Sequence, residues 1–320
     1  MIRRWASLRH MDGGGKPILL CRERGWNILR TFFSQRTHLI YILPAIVILG
    51  VLTIVPTVLL YFLSITNYEL GASSFKIVWF ENYFRLFKSV EFQKSFFLSV
   101  YFSVVVTAIE LVLGFFLAKL LDREMRLKSV VFACLIVPIA MTPSITGQIW
   151  KLMFNSEYGV LNFLLHSSIG QKIVWLSPEN ALMSTMLVDI WQNTPFVALI
   201  LYAGLRSLPV DPYEAALTDG ASTLQVFRHI TLPLLKPMIL LAVIFRLIDS
   251  LRLFDIPFSL TQGGPGSATE FMSLHVYRLG FAQTGWVGRA SAAAILLMIL
   301  ITIVSTILLR FFRKGASDKQ

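Results

Sequence analysis

Residues 208–237 read LPVDPYEAALTDGASTLQVFRHITLPLLKP. Asp211 suits an N-cap, Pro212 the first helical position, and Glu214 follows Asp211 by three residues, as in a capping box. Tyr213, Ala215, Ala216 and Leu217 continue that short helix, and Gly220 fits a left-handed stop. Ser222 then caps a second helix with Gln225 three residues on. Leu224, Phe227 and Ile230 recur at helical spacing, and Leu232–Pro233 is expected to end that helix and lead through Pro237 into an apolar run. The stretch therefore predicts two short amphipathic helices joined by a sharp turn.

What lies on either side is too apolar for water. The chain has 320 residues, 55% of them hydrophobic and only 15% charged, with a mean hydropathy of +0.67. Soluble domains carry about 25% charged residues. Runs of roughly 20 apolar residues can cross a bilayer, and six are predicted, over about 39–65, 95–121, 129–154, 181–205, 237–260 and 289–311. No charge occurs from Leu39 to Tyr68, from Ser129 to Trp150, or from Ala290 to Leu309. The expected fold class is an all-α membrane protein of six transmembrane helices. The first run is too long for a signal-peptide core and lacks a small-x-small cleavage site, so it is expected to remain as a span. Residues 1–37 form a basic N-terminal segment, 38–311 the transmembrane domain with its loop at 206–236, and 312–320 a tail.

The net charge of +11 is explained by where the cations sit. The N-terminal segment, the turn after the second span, the 206–236 loop and the tail together hold 19 Lys and Arg, against 8 in the opposite set of loops. Positive residues accumulate on the cytoplasmic side, so both termini and the 206–236 loop are expected there. Nucleic acid is not an expected partner. Cys21 and Cys134 have no framework spacing.

Much familiar chemistry is missing. There is no Gly-rich phosphate loop, no His-Glu-x-x-His and no nucleophile elbow. The five histidines lack metal-ligand spacing, so neither a metal nor a cofactor is expected. Energy for uphill movement must come from an ion gradient or a partner. Pro44, Pro56, Pro138, Pro143, Pro195 and Pro257 lie inside the spans, where broken helices persist only if protein or a wet cavity satisfies the freed backbone.

Glu214-Ala215-Ala216, Gly220, Ile230, Leu232 and Pro233 together spell EAA-x3-G-x9-I-x-L-P without a gap. This resembles the signature of the inner-membrane subunits of binding-protein-dependent ABC importers. Phe80-Glu81-Asn82-Tyr83 with Phe84 and Phe87, Trp191 with Thr194-Pro195-Phe196, and Leu260-Thr261-x-Gly263-Gly264-Pro265 are similar to the carbohydrate-uptake branch, typified by maltose and glycerol-phosphate permeases. The resemblance spans roughly residues 38–311. It implies a permease of the type I importer kind, which is a transport subunit and not an enzyme. It also implies a second, non-identical permease, two subunits that bind and hydrolyse ATP, and an external solute-binding protein. In such importers the loop docks on the ATPase, a role the resemblance assigns here to Glu214, Ala215, Ala216, Gly220, Ile230, Leu232 and Pro233. The solute implied is a sugar, a polyol or a sugar phosphate, taken up across the cytoplasmic membrane.

The fifth run carries Arg246, Asp249, Arg252 and Asp255, each three residues after the last. Neighbours at that spacing pair along a helix. Each charge costs at least ~2.5–3.5 kcal/mol near a helix centre in a bilayer, so such residues face a bundle interior or a wet cavity. They are candidate lining of the translocation path, with Asp249 and Arg252 expected nearest mid-depth. Glu110 and Asp189 are further buried charges, and Asp189 is a candidate partner of an arginine in the fifth run. The Gly263, Gly264 and Pro265 turn follows on the outer side, as gate, binding-protein contact or plain turn. The rival reading is an ion-coupled carrier working without an ATPase, which explains the intramembrane charges but not the loop at 211–233.

Overall fold

The structure is a computed structural model and describes residues 22–317. Most of the basic N-terminal segment, residues 1–21, and the end of the tail, residues 318–320, lie outside the described residues. The helices are α1 (Arg22–Ser64), α2 (Glu81–Lys88), α3 (Val90–Asp122), α4 (Lys128–Ala140), α5 (Pro143–Met153), α6 (Val160–Ile169), α7 (Ala181–Arg206), α8 (Asp211–Thr218), α9 (Thr223–Val226), α10 (Leu232–Leu251), α11 (Asp255–Leu260), α12 (Met272–Tyr277) and α13 (Val287–Ser317). Wide π turns run from Phe227 to Thr231 and from Arg278 to Ala282. The chain divides into two units, residues 1–59 and 60–320. Within the described part of the first unit the chain is helical and carries no charge from Tyr41 to Leu59.

The second unit is built around α3 and α7, with α10 against both. Small and medium apolar residues fill that seam: Ala118 from α3, Val197 and Leu201 from α7, Leu235 and Ala242 from α10. Small side chains let helices approach in a bilayer, where van der Waals contact and not water drives association. Trp150 of α5 and Phe154, which caps it, pack with Val188, Ile256 and Leu260. Phe102 and Val106 of α3 close on Phe271, the two phenylalanine rings edge to face at 4.7 Å. Nearer the start of α13, Ala292 and Ala293 pack with Leu86, Phe92 and Met272.

Among the described residues, five helices are long and apolar enough to cross a bilayer, and six spans result when α4 and α5 are taken as one. That pair corrects the expectation of a single helix over 129–154, because its halves meet at 101°. Pro143 opens α5, and the residue before a proline is driven out of the helical region; Thr142 and Met141 are both extended. The carbonyl of Met141 left free by the break accepts the Gln192 side-chain amide at 2.9 Å.

The fifth span also departs from expectation. The helix does not end at Leu232–Pro233. It runs on from Thr223 through the π turn into α10, Leu232 donating its amide to the Phe227 carbonyl. A proline ring clashes with the carbonyl four residues back and supplies no donor; the widened turn just before Pro233 makes room for it. At the other end α10 stops at Leu251, and α11 starts only at Asp255. The four charges at 246–255 are therefore not one continuous helical ladder.

Candidate functional site

Arg246 is the hub of a buried charge cluster. It projects from α10 with 2% of its surface exposed. Its Nε and Nη2 donate to the two oxygens of Glu110 on α3, at 2.6 and 2.9 Å, and Nη2 also donates to Asp189 on α7 at 2.8 Å. Nη1 donates to Asp249 at 3.0 Å. Four donations from one planar guanidinium thus tie three helices together, a geometry lysine cannot supply. Asp189 also accepts from Asn193 at 3.0 Å, so the carboxylates that lie deepest are hydrogen-bonded, as buried charges must be.

The cluster is lopsided in exposure. Glu110 and Asp189 are buried, whereas the Asp249 and Arg252 side chains are 50% and 65% exposed and pair with each other at 3.0 Å. Asp249 bridges the two halves, one oxygen to Arg246 and the other to Arg252. Of the four charges in the fifth run, three meet here, and the buried hub is Arg246 rather than Asp249 or Arg252. Asp255 does not join them. It begins α11 and accepts from Ser144 of α5 at 3.1 Å. The expected pairing of Asp189 with an arginine of the fifth run is present, and Glu110 shares the same guanidinium.

The 208–237 loop forms the two short helices expected, with one difference at its start. Asp211 is not an N-cap. Val210 holds that position in a helical conformation, and its carbonyl accepts the Tyr213 and Glu214 amides at 2.9 and 3.2 Å. With the helix begun one residue early, the Asp211 and Glu214 carboxylates are left facing solvent. The helix closes as a Schellman motif: Ala221 donates to the Ala216 carbonyl at 2.9 Å, Gly220 to Leu217 at 3.1 Å, and Gly220 has φ +72°. Ser222 and Gln225 form the reciprocal capping box. Ala216 packs inward, while Glu214, Ala215 and Gly220 are exposed, as are the apolar Leu217 and Leu224 at 72% and 73%. Ile230 lies in the π turn and Leu232 and Pro233 open α10. Tyr213 donates its hydroxyl to Thr231 at 3.1 Å, tying α8 to the foot of α10.

The turn carrying Gly263, Gly264 and Pro265 is braced from behind. Thr269 donates its backbone amide to the Gly263 carbonyl at 3.2 Å and its hydroxyl to that of Gly264 at 3.1 Å. Arg278 donates to the Gln262 carbonyl at 2.5 Å and pairs with Glu270. Glu270 also accepts from His275 Nδ1 at 2.8 Å. Burial alone would raise the Glu270 carboxyl; the His275 hydrogen bond and the Arg278 charge outweigh it and hold the group below the ordinary carboxylate range. Sequence reasoning did not single out Glu270, His275 and Arg278. They lie on a loop, a short helix and a π turn, with no common period to mark them as neighbours.

Comparison with known proteins places this geometry. A family model described as "Binding-protein-dependent transport system inner membrane component" matches residues 110–318. The trehalose/maltose transport system permease protein MalF of Thermococcus litoralis is 37% identical over 273 residues, covering 85% of this chain and 92% of that one. The sulfoquinovosyl glycerol transport system permease protein SmoG of Agrobacterium fabrum is 33% identical, covering 84% and 88%. In fold, the chain is similar to a chain of the bacterial alginate ABC transporter solved with its pentasaccharide-bound periplasmic protein, with a TM-score of 0.77, 21% identity, and coverage of 91% and 98%.

Proposed function

Because the chain belongs to the family of inner membrane components of binding-protein-dependent transport systems, we propose that it is one of two non-identical permeases forming the pore of a carbohydrate importer. Two ATP-binding subunits on the cytoplasmic side drive it, an external solute-binding protein supplies it, and both termini are cytoplasmic. ATP is bound by the partner subunits, and this chain carries no cofactor. The names of the relatives, which transport trehalose/maltose and sulfoquinovosyl glycerol, support a sugar or sugar-like solute. Family membership speaks against an ion-coupled carrier working alone.

The observation that carries the reading is the exposed face of α8 and α9. Leu217 and Leu224 stand apolar and uncovered beside Glu214 and Ala215, on a loop closed by the Schellman bonds at Gly220 and Ala221 and by the Ser222–Gln225 capping box. A rigid knob with an apolar exposed surface is what a partner cleft grips. Closure of the ATP-binding subunits would pull this knob. The Tyr213–Thr231 bond and the unbroken helix from Thr223 to Leu251 would carry the pull into α10. Arg246 then couples α10 to α3 and α7, so the three helices rock as one body. Asp249 and Arg252 line the cavity that opens, because half-exposed charges cannot face lipid. Their paired donors and acceptors suit a hydroxylated solute stripped of water.

The test is uptake of radiolabelled maltose and trehalose into vesicles holding the reconstituted complex. Uptake is expected only with ATP, the ATP-binding subunits and the solute-binding protein together. Accumulation by this chain alone, driven by an ion gradient, would refute the reading.

A further inference from the structure

A cavity of about 370 Å³ lies between the 208–237 loop and the ends of α3 and α7. Its size is within the usual range of small-ligand sites. Phe115, Leu205, Leu208, Val210, Val226 and Phe227 give it an apolar wall, the two phenylalanine rings meeting at 5.2 Å. Glu214, Ala215, Leu217 and Leu224 do not line it. The cavity is therefore separate from the exposed residues assigned to the ATP-binding subunit.

Most polar groups in the wall are already engaged. Tyr213 donates its hydroxyl to Thr231 at 3.1 Å. Asp122 pairs with Arg206 at 3.2 Å. Lys119 is different: it is exposed on the same wall and has no ion-pair partner among the described residues. The exposed Thr223 adds a hydroxyl beside the apolar surface. An apolar wall with one unpaired cation suits a ligand with an apolar body and one anionic group. A cationic ligand would meet Lys119, and a ligand polar throughout would leave its groups without partners against the phenylalanines.

Depth says where such a ligand comes from. α3 ends at Asp122 and α7 at Arg206, so Lys119, one turn inside the end of α3, stands at the level where lysines of a span reach the headgroups. Phe116 and Leu120, beside it on α3, are 65% and 43% exposed, and an uncovered apolar face at that depth suits acyl chains. We propose that this cavity takes part of an acyl chain of an anionic phospholipid from the inner leaflet, its phosphate meeting Lys119. The leaflet rests on the reading of the 206–236 loop as the cytoplasmic coupling loop. The lipid then sits against the Tyr213–Thr231 bond that ties α8 to α10.

The test uses the assembled complex with its ATP-binding subunits in phosphatidylcholine nanodiscs. These carry a trace of a phosphatidylglycerol or of a phosphatidylcholine, each with a photoreactive diazirine on one acyl chain. Mass spectrometry of the crosslinked peptides reads the site. Phosphatidylglycerol should label the peptides holding Phe115 and Val226–Phe227 about fivefold more than phosphatidylcholine does, the factor one surface cation contributes toward an anionic lipid. Lys119→Gln should remove that preference and Lys119→Arg should keep it. Val226→Trp, which fills the cavity, should lower labelling by both lipids; the exposed Lys119 variants decide the matter if the tryptophan variant does not assemble. Equal labelling of the wild type by the two lipids, or an unchanged preference in Lys119→Gln, would overturn the site. Millimolar inorganic phosphate at constant ionic strength should leave the labelling in place; its loss would assign the site to a soluble anion and overturn the lipid. ATP hydrolysis stimulated by the solute-binding protein is measured on the same preparations. Stimulated hydrolysis without lipid-selective labelling refutes this site alone, whereas hydrolysis that never responds to the solute-binding protein refutes the importer reading.

Discussion

Replacing Arg246 by methionine should be among the most damaging single changes in the membrane domain. Glu110 would lose both hydrogen bonds that hold its carboxylate, at 2.6 and 2.9 Å, and Asp189 would keep only Asn193. Both are essentially inaccessible, at 0% and 1% exposed. Removing one partner of a buried ion pair costs about 3–5 kcal/mol, because an unpaired charge is left behind. Here two carboxylates lose the same partner, while Asp249 retains Arg252, so a loss of at least about 3–5 kcal/mol is expected. The triple variant Glu110→Gln, Asp189→Asn, Arg246→Met removes the stranded charges as well. It should be more stable than Arg246→Met by more than about 2 kcal/mol, since fully neutral replacements of buried ion clusters are often tolerated. SDS-induced unfolding of the purified protein in mixed micelles measures both. An Arg246→Met variant within about 1 kcal/mol of wild type, or a triple variant no better than the single, would show that the cluster is not the buried network described.

Gly147→Ala should destabilise the protein by about 1–3 kcal/mol, since an added Cβ would lie 1.9 Å from the Ser259 hydroxyl and 3.2 Å from the Ile256 carbonyl; adding Ser259→Ala should recover part of the loss in a detergent thermal melt, and equal melts for single and double variants would contradict the helix contact. Gly220→Ala meets no neighbouring atom and should cost only the strain of φ +72°, about 1–2 kcal/mol, with ATP hydrolysis still coupled. Gly220→Pro also loses the amide bond to Leu217 and should leave assembly intact but uncouple hydrolysis from transport; coupled hydrolysis in it would end the docking reading. Cysteines placed at the exposed Ser222 and Ser267, in a background lacking Cys21 and Cys134, should label from opposite sides of the membrane, and labelling from one side would sink the proposed topology. Glu270 has a folded pKa below its unfolded value of about 4.3, so its contribution to stability is complete above that pH and lost as pH falls through the folded value; the stability gap between wild type and Glu270→Gln should close on acidification, and a gap constant with pH would refute the ionised pair.

Residue order alone determined a good deal of this protein. Long uncharged runs marked the spans, because a bilayer imposes both length and apolarity on whatever crosses it. The 211–225 helices, the Gly220 stop and the Ser222 capping box were legible because capping and turn chemistry act within a few residues. Legibility ended where distant segments decide. Three-residue spacing suggested one ladder of four charges at 246–255. Folding instead breaks the helix after Leu251, sends Asp255 to Ser144, and brings Glu110 and Asp189, 136 and 57 positions away, onto Arg246. Asp249 consequently has two arginine partners, so exchanging it with Arg252 would set an arginine against Arg246 and not merely reverse a pair. The bend between α4 and α5, paid for by Gln192 from another helix, and the Glu270–His275–Arg278 group are of the same kind. Local signals report which segments become helices; which buried charges meet is set by how those helices pack, and the low dielectric of the interior makes those meetings decisive.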